Sequence, residues 1–252
     1  MTPDQQLTAY TLRLGDNALV LGQRMLELVA LSPELEEELA NANLALDYIG
    51  QARLYYSVAA EREGQGRSED DLAFLRHERE FRNLLLLEQP NGHFGDTIVR
   101  QVLFDTFYQL QLAALISCGY ARLAEIAARA AKEVRYHLRH AERWLVRLGD
   151  GTPDSHTRVQ QSLDDLWRYT GEMFTADELD EAMLARFGGP DLELIERAWH
   201  QAIAAVVSEA TLDLPGACGM AAGGKQGIHT EHFGFLIAEM QHLPRSFPGE
   251  RW

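Results

Sequence analysis

The chain has 252 residues, 46% hydrophobic and 24% charged, which is enough for one sizeable core or two small ones and carries no signature of disorder. Its formal charge of −15 and pI near 5.0 would repel a phosphate backbone or an anionic bilayer, so nucleic acid and membrane are excluded as partners and proteins or small molecules are expected. Only Cys118 and Cys218 are cysteines, so neither a disulfide framework nor a Cys-based zinc site can be built. The N-terminal Met1–Gln6 has no basic or apolar leader pattern, and no apolar run approaches the ~18 residues of a membrane span. A cytoplasmic protein is expected.

Helical spacing begins at once. Leu7, Tyr10, Leu14, Ala18, Leu21, Met25 and Leu28 predict a first helix from Leu7 to about Ala30. Ser32, Pro33 and Glu34 read as N-cap, first-turn proline and favourable dipole charge, which predicts a second helix from there to about Glu63. Its expected core stripe is Leu35, Leu39, Ala42, Leu46, Ile49 and Tyr56, with Asp47 beside it. Gly64–Ser68 reads as a loop, and a third helix is expected from about Asp70 to Glu88, with Phe74, His77, Phe81, Leu84, Leu85 and Glu88 on or near its buried side.

Gln89–Gly95 breaks the pattern, and Asp96 is the expected N-cap of a nearly all-apolar helix to Cys118. Ile98, Val102, Asp105, Leu112 and Ile116 share one row of it, which puts an aspartate in the core. A buried carboxylate is costly unless paired, hydrogen-bonded or metal-bound. After Gly119 comes a long helix whose stripe is Leu123, Ala127, Ala130, Val134, Leu138, Ala141, Leu145 and Leu148. At about 100° per residue Glu133 and His137 border that stripe, and Tyr136 points away. Further helices are expected at about 155–174, 175 or 177 to 187, 191–212 and 230–243, with a Gly-rich loop over Leu214–Gly227 and a Pro- and Trp-containing tail. The fold class is all-α.

Four long helices thus bring an acid near the core: Asp47, Glu80, Asp105 and Glu133. A bundle that holds two bridged metal ions uses about four carboxylates and two histidines, with Glu-x-x-His on two of its helices. Here Asn83 follows Glu80 by three residues and Tyr136 follows Glu133, with His137 one position late. Both imidazoles are missing from the positions the chemistry requires, and an amide or phenol is a poor nitrogen-donor substitute. The acids therefore read as a degenerate di-metal set tied into salt bridges and hydrogen bonds, with Arg76 near Glu80 and Lys132 beside Glu133. On the Glu133 helix alone, an i, i+4 Glu–His pair with His140 in solvent explains the residues better than ligation. No metal or cofactor is expected in this chain.

His229, Glu231 and His232 have a metal-like look, but Thr230 as N-cap with an acidic first turn explains most of it. Gly223, Gly224 and Lys225 lack the Gly-Lys-Ser/Thr ending of a phosphate loop and read as a flexible or partner-ordered segment, which together with His229, Glu231 and His232 is the candidate contact loop for a partner or CoA. No Gly-x-Ser-x-Gly elbow supports hydrolase chemistry.

At Tyr10–Asn17, Gly50–Arg53, Asn83–Gly92, Lys132–Glu133 with Tyr136–Arg139, Gly223–Lys225 and His229–His232 the sequence closely resembles the PaaC-type structural subunit of phenylacetyl-CoA 1,2-epoxidase (ring monooxygenase) complexes. The resemblance spans nearly the whole chain. It implies one ferritin-like helical domain over residues 1–252, a four-helix bundle with additional C-terminal helices and no functional di-iron centre. It also implies a paralogous subunit that holds the irons and binds the CoA thioester, in a heterodimer or higher hetero-oligomer, with a bridging subunit and a flavin/iron–sulfur reductase. Two alternatives stay open at this point. One is an independent di-metal oxidase or oxygenase using Glu80, Asp105, Glu133 and His137 after a local helix distortion; the other is a homo-oligomeric scaffold, for instance a homodimer.

Overall fold

The computed structural model describes residues 1–29 and 31–250. Ala30, the expected end of the first helix, and Arg251 and Trp252 of the expected tail lie outside the described residues. Among the described residues every regular element is helical: α1 (Pro3–Leu26), α2 (Leu35–Glu63), α3 (Glu69–Phe74), α4 (Leu85–Glu88), α5 (Phe94–Leu115), α6 (Ala121–Gly149), α7 (Pro153–Trp167), α8 (Gly171–Phe174), α9 (Glu178–Phe187), α10 (Leu192–Glu209) and α11 (Glu231–Ser246), with 3₁₀ turns at Glu78–Glu80 and Gly224–Gln226. None of these helices is long and apolar enough to cross a membrane. The chain forms two compact units, Met1–Pro90 with Gly223–Trp252, and Asn91–Ala222.

In the first unit α1 and α2 form the principal helix pair. α1 starts earlier than Leu7 because Thr2 caps it: the hydroxyl accepts from Gln5 N at 3.2 Å, the Gln5 side chain accepts from Thr2 N at 2.8 Å, and Pro3 occupies the first turn. Ser32 does not cap α2. Its hydroxyl donates to Leu28 O and accepts from Asn41 Nδ2, each at 3.1 Å, so the helix begins at Leu35 without a side-chain cap. Gly64, at φ +67°, ends it as expected.

The expected core stripe of α2 is the wrong face. Leu35, Leu39 and Leu46 are 66%, 58% and 62% exposed, whereas Leu44, Tyr48, Ala52 and Tyr55 are buried on the opposite side; of the larger stripe residues Tyr56 alone is buried. α2 has two apolar faces, and the one rich in tyrosine packs on α1. Gly15 makes that crossing close: a Cβ there would lie 2.6 Å from the Tyr56 ring.

The third expected helix is broken into α3, the 3₁₀ turn and α4. Polar groups of α1 take backbone donors that a continuous helix would use for itself. Asp16 Oδ2 accepts from Arg82 N at 2.8 Å, and Asn17 Oδ1 accepts from Leu84 N at 2.9 Å. α11 then covers α3, the turn and α4, running through Pro244 to Ser246 rather than stopping at Leu243. Gln241 Nε2 and Arg245 Nη2 donate to Arg76 O at 2.9 and 3.0 Å.

In the second unit α5 packs on α6, α7 and α10. α5 begins at Phe94 with His93 as its cap, and Asp96, the expected cap, instead closes the box by accepting from His93 N at 2.8 Å. It ends at Leu115 rather than Cys118. The α6 stripe is buried as expected at Leu123, Ala127, Ala130, Val134, Ala141 and Leu145, with Leu138 and Leu148 half-buried. The helix expected over 155–174 divides into α7 and α8, while Asp177 and Asp191 cap α9 and α10 with their carboxylates. Trp199 anchors α10 by donating Nε1–H to Leu103 O at 2.9 Å, and its ring lies 5.5 Å from Trp167 and 5.2 Å from Phe174.

Candidate functional site

Two buried carboxylates dominate the polar interior of the first unit. Asp16, fully closed to solvent, accepts from the Arg76 guanidinium, from Tyr56 Oη at 2.7 Å and from Arg82 N. Arg76 lies over the Phe81 ring at 4.0 Å and donates Nε–H to Leu72 O and Nη1–H to Glu80 O. Burial works most strongly, against the Arg76 charge, but Asp16, Tyr56 and Glu80 together outweigh it and hold the guanidinium above its ordinary value. Burial first, then Asp16, pushes the Tyr56 phenol well above its usual range. This is an ion pair whose remaining valences are filled by the same unit, the condition under which a buried pair is tolerated.

Glu88, also fully buried, receives Asn83 Nδ2 at 2.9 Å, Thr230 N at 2.8 Å and Thr230 Oγ1 at 2.7 Å. His229 faces it with Nδ1 at 2.5 Å from Oε1 and donates Nε2–H to Phe81 O at 3.2 Å. Arg24 donates to Glu88 O and His232 O, joining α1, α4 and the start of α11. Thr230 therefore stands at the N-cap of α11 without capping it, because its hydroxyl is spent on Glu88. Gly223, Gly224 and Lys225 are buried, Glu231 is exposed and His232 half-buried. Gly227, at φ +75°, lies so close to Arg82 Nη1 and Arg79 O that a Cβ could not fit. Gln226, Ile228 and Glu231 of this segment remain exposed beside these buried positions.

The four acids expected to resemble a metal set have four different fates. Asp47 is half-buried on α2. Glu80 is exposed on the 3₁₀ turn, where its carboxylate accepts from His77 N at 2.7 Å, while Arg76 reaches only its backbone oxygen and pairs its guanidinium with Asp16. Asn83, three residues on, is buried with its amide on Glu88. Asp105 is fully buried, as periodicity predicts, with Gln101 Nε2 3.4 Å from Oδ2. Glu133 is half-buried and accepts from Arg129 Nε at 3.1 Å; Tyr136 is 55% exposed. His137 is fully buried rather than on the border of the core face, and His140 is half-buried rather than in solvent. Among the described residues no group of three or more His, Cys, Asp or Glu side chains is arranged to hold a metal ion.

Asp16 escapes sequence reasoning because it lies off the Leu7–Leu21 stripe, and only the burial of α1 on every side from Arg13 to Gly22 encloses it. Glu88 ends the apolar run Leu84–Leu87, which is a usable signal, but its partners His229 and Thr230 are remote in sequence.

The description "phenylacetic acid catabolic protein" belongs to the family that matches residues 1–252. A 1,2-phenylacetyl-CoA epoxidase subunit of Escherichia coli (strain K12) is 50% identical over 247 residues, covering 98% of this chain and 99% of that protein. Asp16, Arg76, Glu88 and His229 thus form the internal polar framework of a chain that belongs to the phenylacetic acid catabolic protein family.

Proposed function

We propose that this chain is a non-catalytic structural subunit of a multicomponent phenylacetyl-CoA epoxidase, working beside a paralogous di-iron subunit that carries out O₂-dependent 1,2-epoxidation of the phenylacetyl-CoA ring. The observation that carries this is the full-length, 50% identity to a subunit of the bacterial epoxidase. It agrees with the side chains: Glu80 and Asn83 serve local hydrogen bonds, Glu133 is paired with Arg129, and Tyr136 faces outward.

On this reading residues 1–252 act as one ferritin-like domain in the cytoplasm, and its task is mechanical. The buried ion pair Asp16–Arg76 and the contact between Glu88 and His229 hold the first unit together, so that the ligand helices of a partner can be kept in register against it. No atom of this chain is assigned a step in the epoxidation.

The test is to co-purify the chain with its paralogous subunit, then measure iron and oxygen consumption for each separately. Iron and activity confined to the paralogue, with activity raised by complex formation, is the expected result. Stoichiometric iron or manganese in this chain, or the lack of any complex, overturns it.

A further inference from the structure

On the face of α2 that sequence periodicity assigns to the core, Tyr56 and Ile49 reach α1, but three leucines nearer the start of the helix have little cover among the described residues. Leu35, Leu39 and Leu46 repeat at spacings of four and seven and are each more than half exposed, and half-buried Ala42 and Ile49 complete a single stripe at spacings of four and three. That is the pattern by which one helix seats a second one. Scattered exposed leucines need no explanation; a continuous ridge opposite a fully packed face does.

Charge selects the occupant. From Met25 to Ala52 the sequence has no Lys or Arg and six acids, Glu27, Glu34, Glu36, Glu37, Glu38 and Asp47. Arg53, at the far end of the stripe, is held by Glu69 at 3.1 Å. Two copies of this face repel. An antiparallel pairing that lays Leu35 on Leu46 sets Glu34 opposite Asp47 of the other copy, and a parallel one sets like glutamates side by side. The basic outer face of α6, with Arg129, Lys132, Arg135, Arg139, Arg143 and Arg147, is no match either, since Tyr136 is its one exposed large apolar side chain.

We infer that the α2 face is the docking site for a different chain, which presents an amphipathic helix with an apolar ridge flanked by Arg or Lys. Resting on the function proposed above, this places that helix on the paralogous catalytic subunit. The leucines supply the buried contact area and the flanking glutamates supply orientation and discrimination against self-association.

Affinity between the full chain and the paralogous subunit, measured by biolayer interferometry at several salt concentrations, tests this. The triple variant Leu35→Ser/Leu39→Ser/Leu46→Ser removes only exposed side chains and is expected to weaken binding at least about tenfold. The milder Glu34→Gln/Glu36→Gln/Glu38→Gln keeps every leucine and is expected to flatten the salt dependence. Wild-type affinity and salt dependence in both variants overturns the inference while leaving the proposed function standing. No binding by the wild-type chain brings down both. A wild-type homodimer that the leucine variant dissolves assigns the face to a second copy and also overturns it.

Discussion

Glu88 and His229 lie 141 residues apart in sequence and meet at 2.5 Å with both side chains closed to solvent. Through this contact the start of α11 is fastened to the end of α4, while Thr230 closes the other carboxylate oxygen.

Removing the carboxylate should loosen the whole C-terminal segment. Glu88→Ala leaves the Asn83 amide, the Thr230 donors and the His229 ring facing a cavity, and a loss of about 3 kcal/mol is expected. Urea unfolding measures it. Limited proteolysis should release the segment after Ala222 faster from the variant than from the parent chain.

Asp16 and Arg76 should behave as one unit. Each single change, Asp16→Asn or Arg76→Met, strands the other partner in the core and should cost about 3 kcal/mol, and the double variant should cost well under the sum. A double-mutant cycle from thermal denaturation gives the coupling; additive losses would show that the two side chains are independent.

Glu80 and Asp105, alike in sequence as candidate ligands, should separate experimentally. Glu80→Ala loses only an exposed contact to His77 N and should cost about 1 kcal/mol, with epoxidase activity of the assembled complex unchanged. Asp105→Ala empties a fully buried position and should cost about 2 kcal/mol or more. Comparing melting temperatures with complex activity distinguishes framework from ligand.

Glu142 carries the pH prediction. Burial, with Glu209 nearby, raises its carboxyl above the ordinary value, so the folded chain holds that proton more tightly than the unfolded one. Its contribution is fully present below the ordinary carboxylate value and is lost as pH rises through the raised one. Glu142→Gln should therefore melt about 1–2 °C higher than the parent at pH 7, with the gain fading as pH falls through the carboxylate range. A constant difference at all pH values would exclude this cause.

The end of α2, the extent of α6 and α9, the starts of α10 and α11, the buried stripe of α6, the burial of Asp105 and the all-α class follow from spacing and capping chemistry, because these are local properties of 3.6-residue periodicity. So does the displacement of both imidazoles from Glu80 and Glu133, a matter of counting along the chain. Which face of α2 is interior does not follow. Two apolar stripes compete there, and the one packed on α1 buries Leu44, Tyr48, Ala52 and Tyr55 and leaves Leu35, Leu39 and Leu46 exposed. Nor could spacing show that Asp16 and Asn17 would draw Arg82 N and Leu84 N out of a third helix, or that Glu88 would close on His229. Those outcomes depend on which remote donors reach a buried acceptor first, and burial of a charge leaves no alternative to satisfying it.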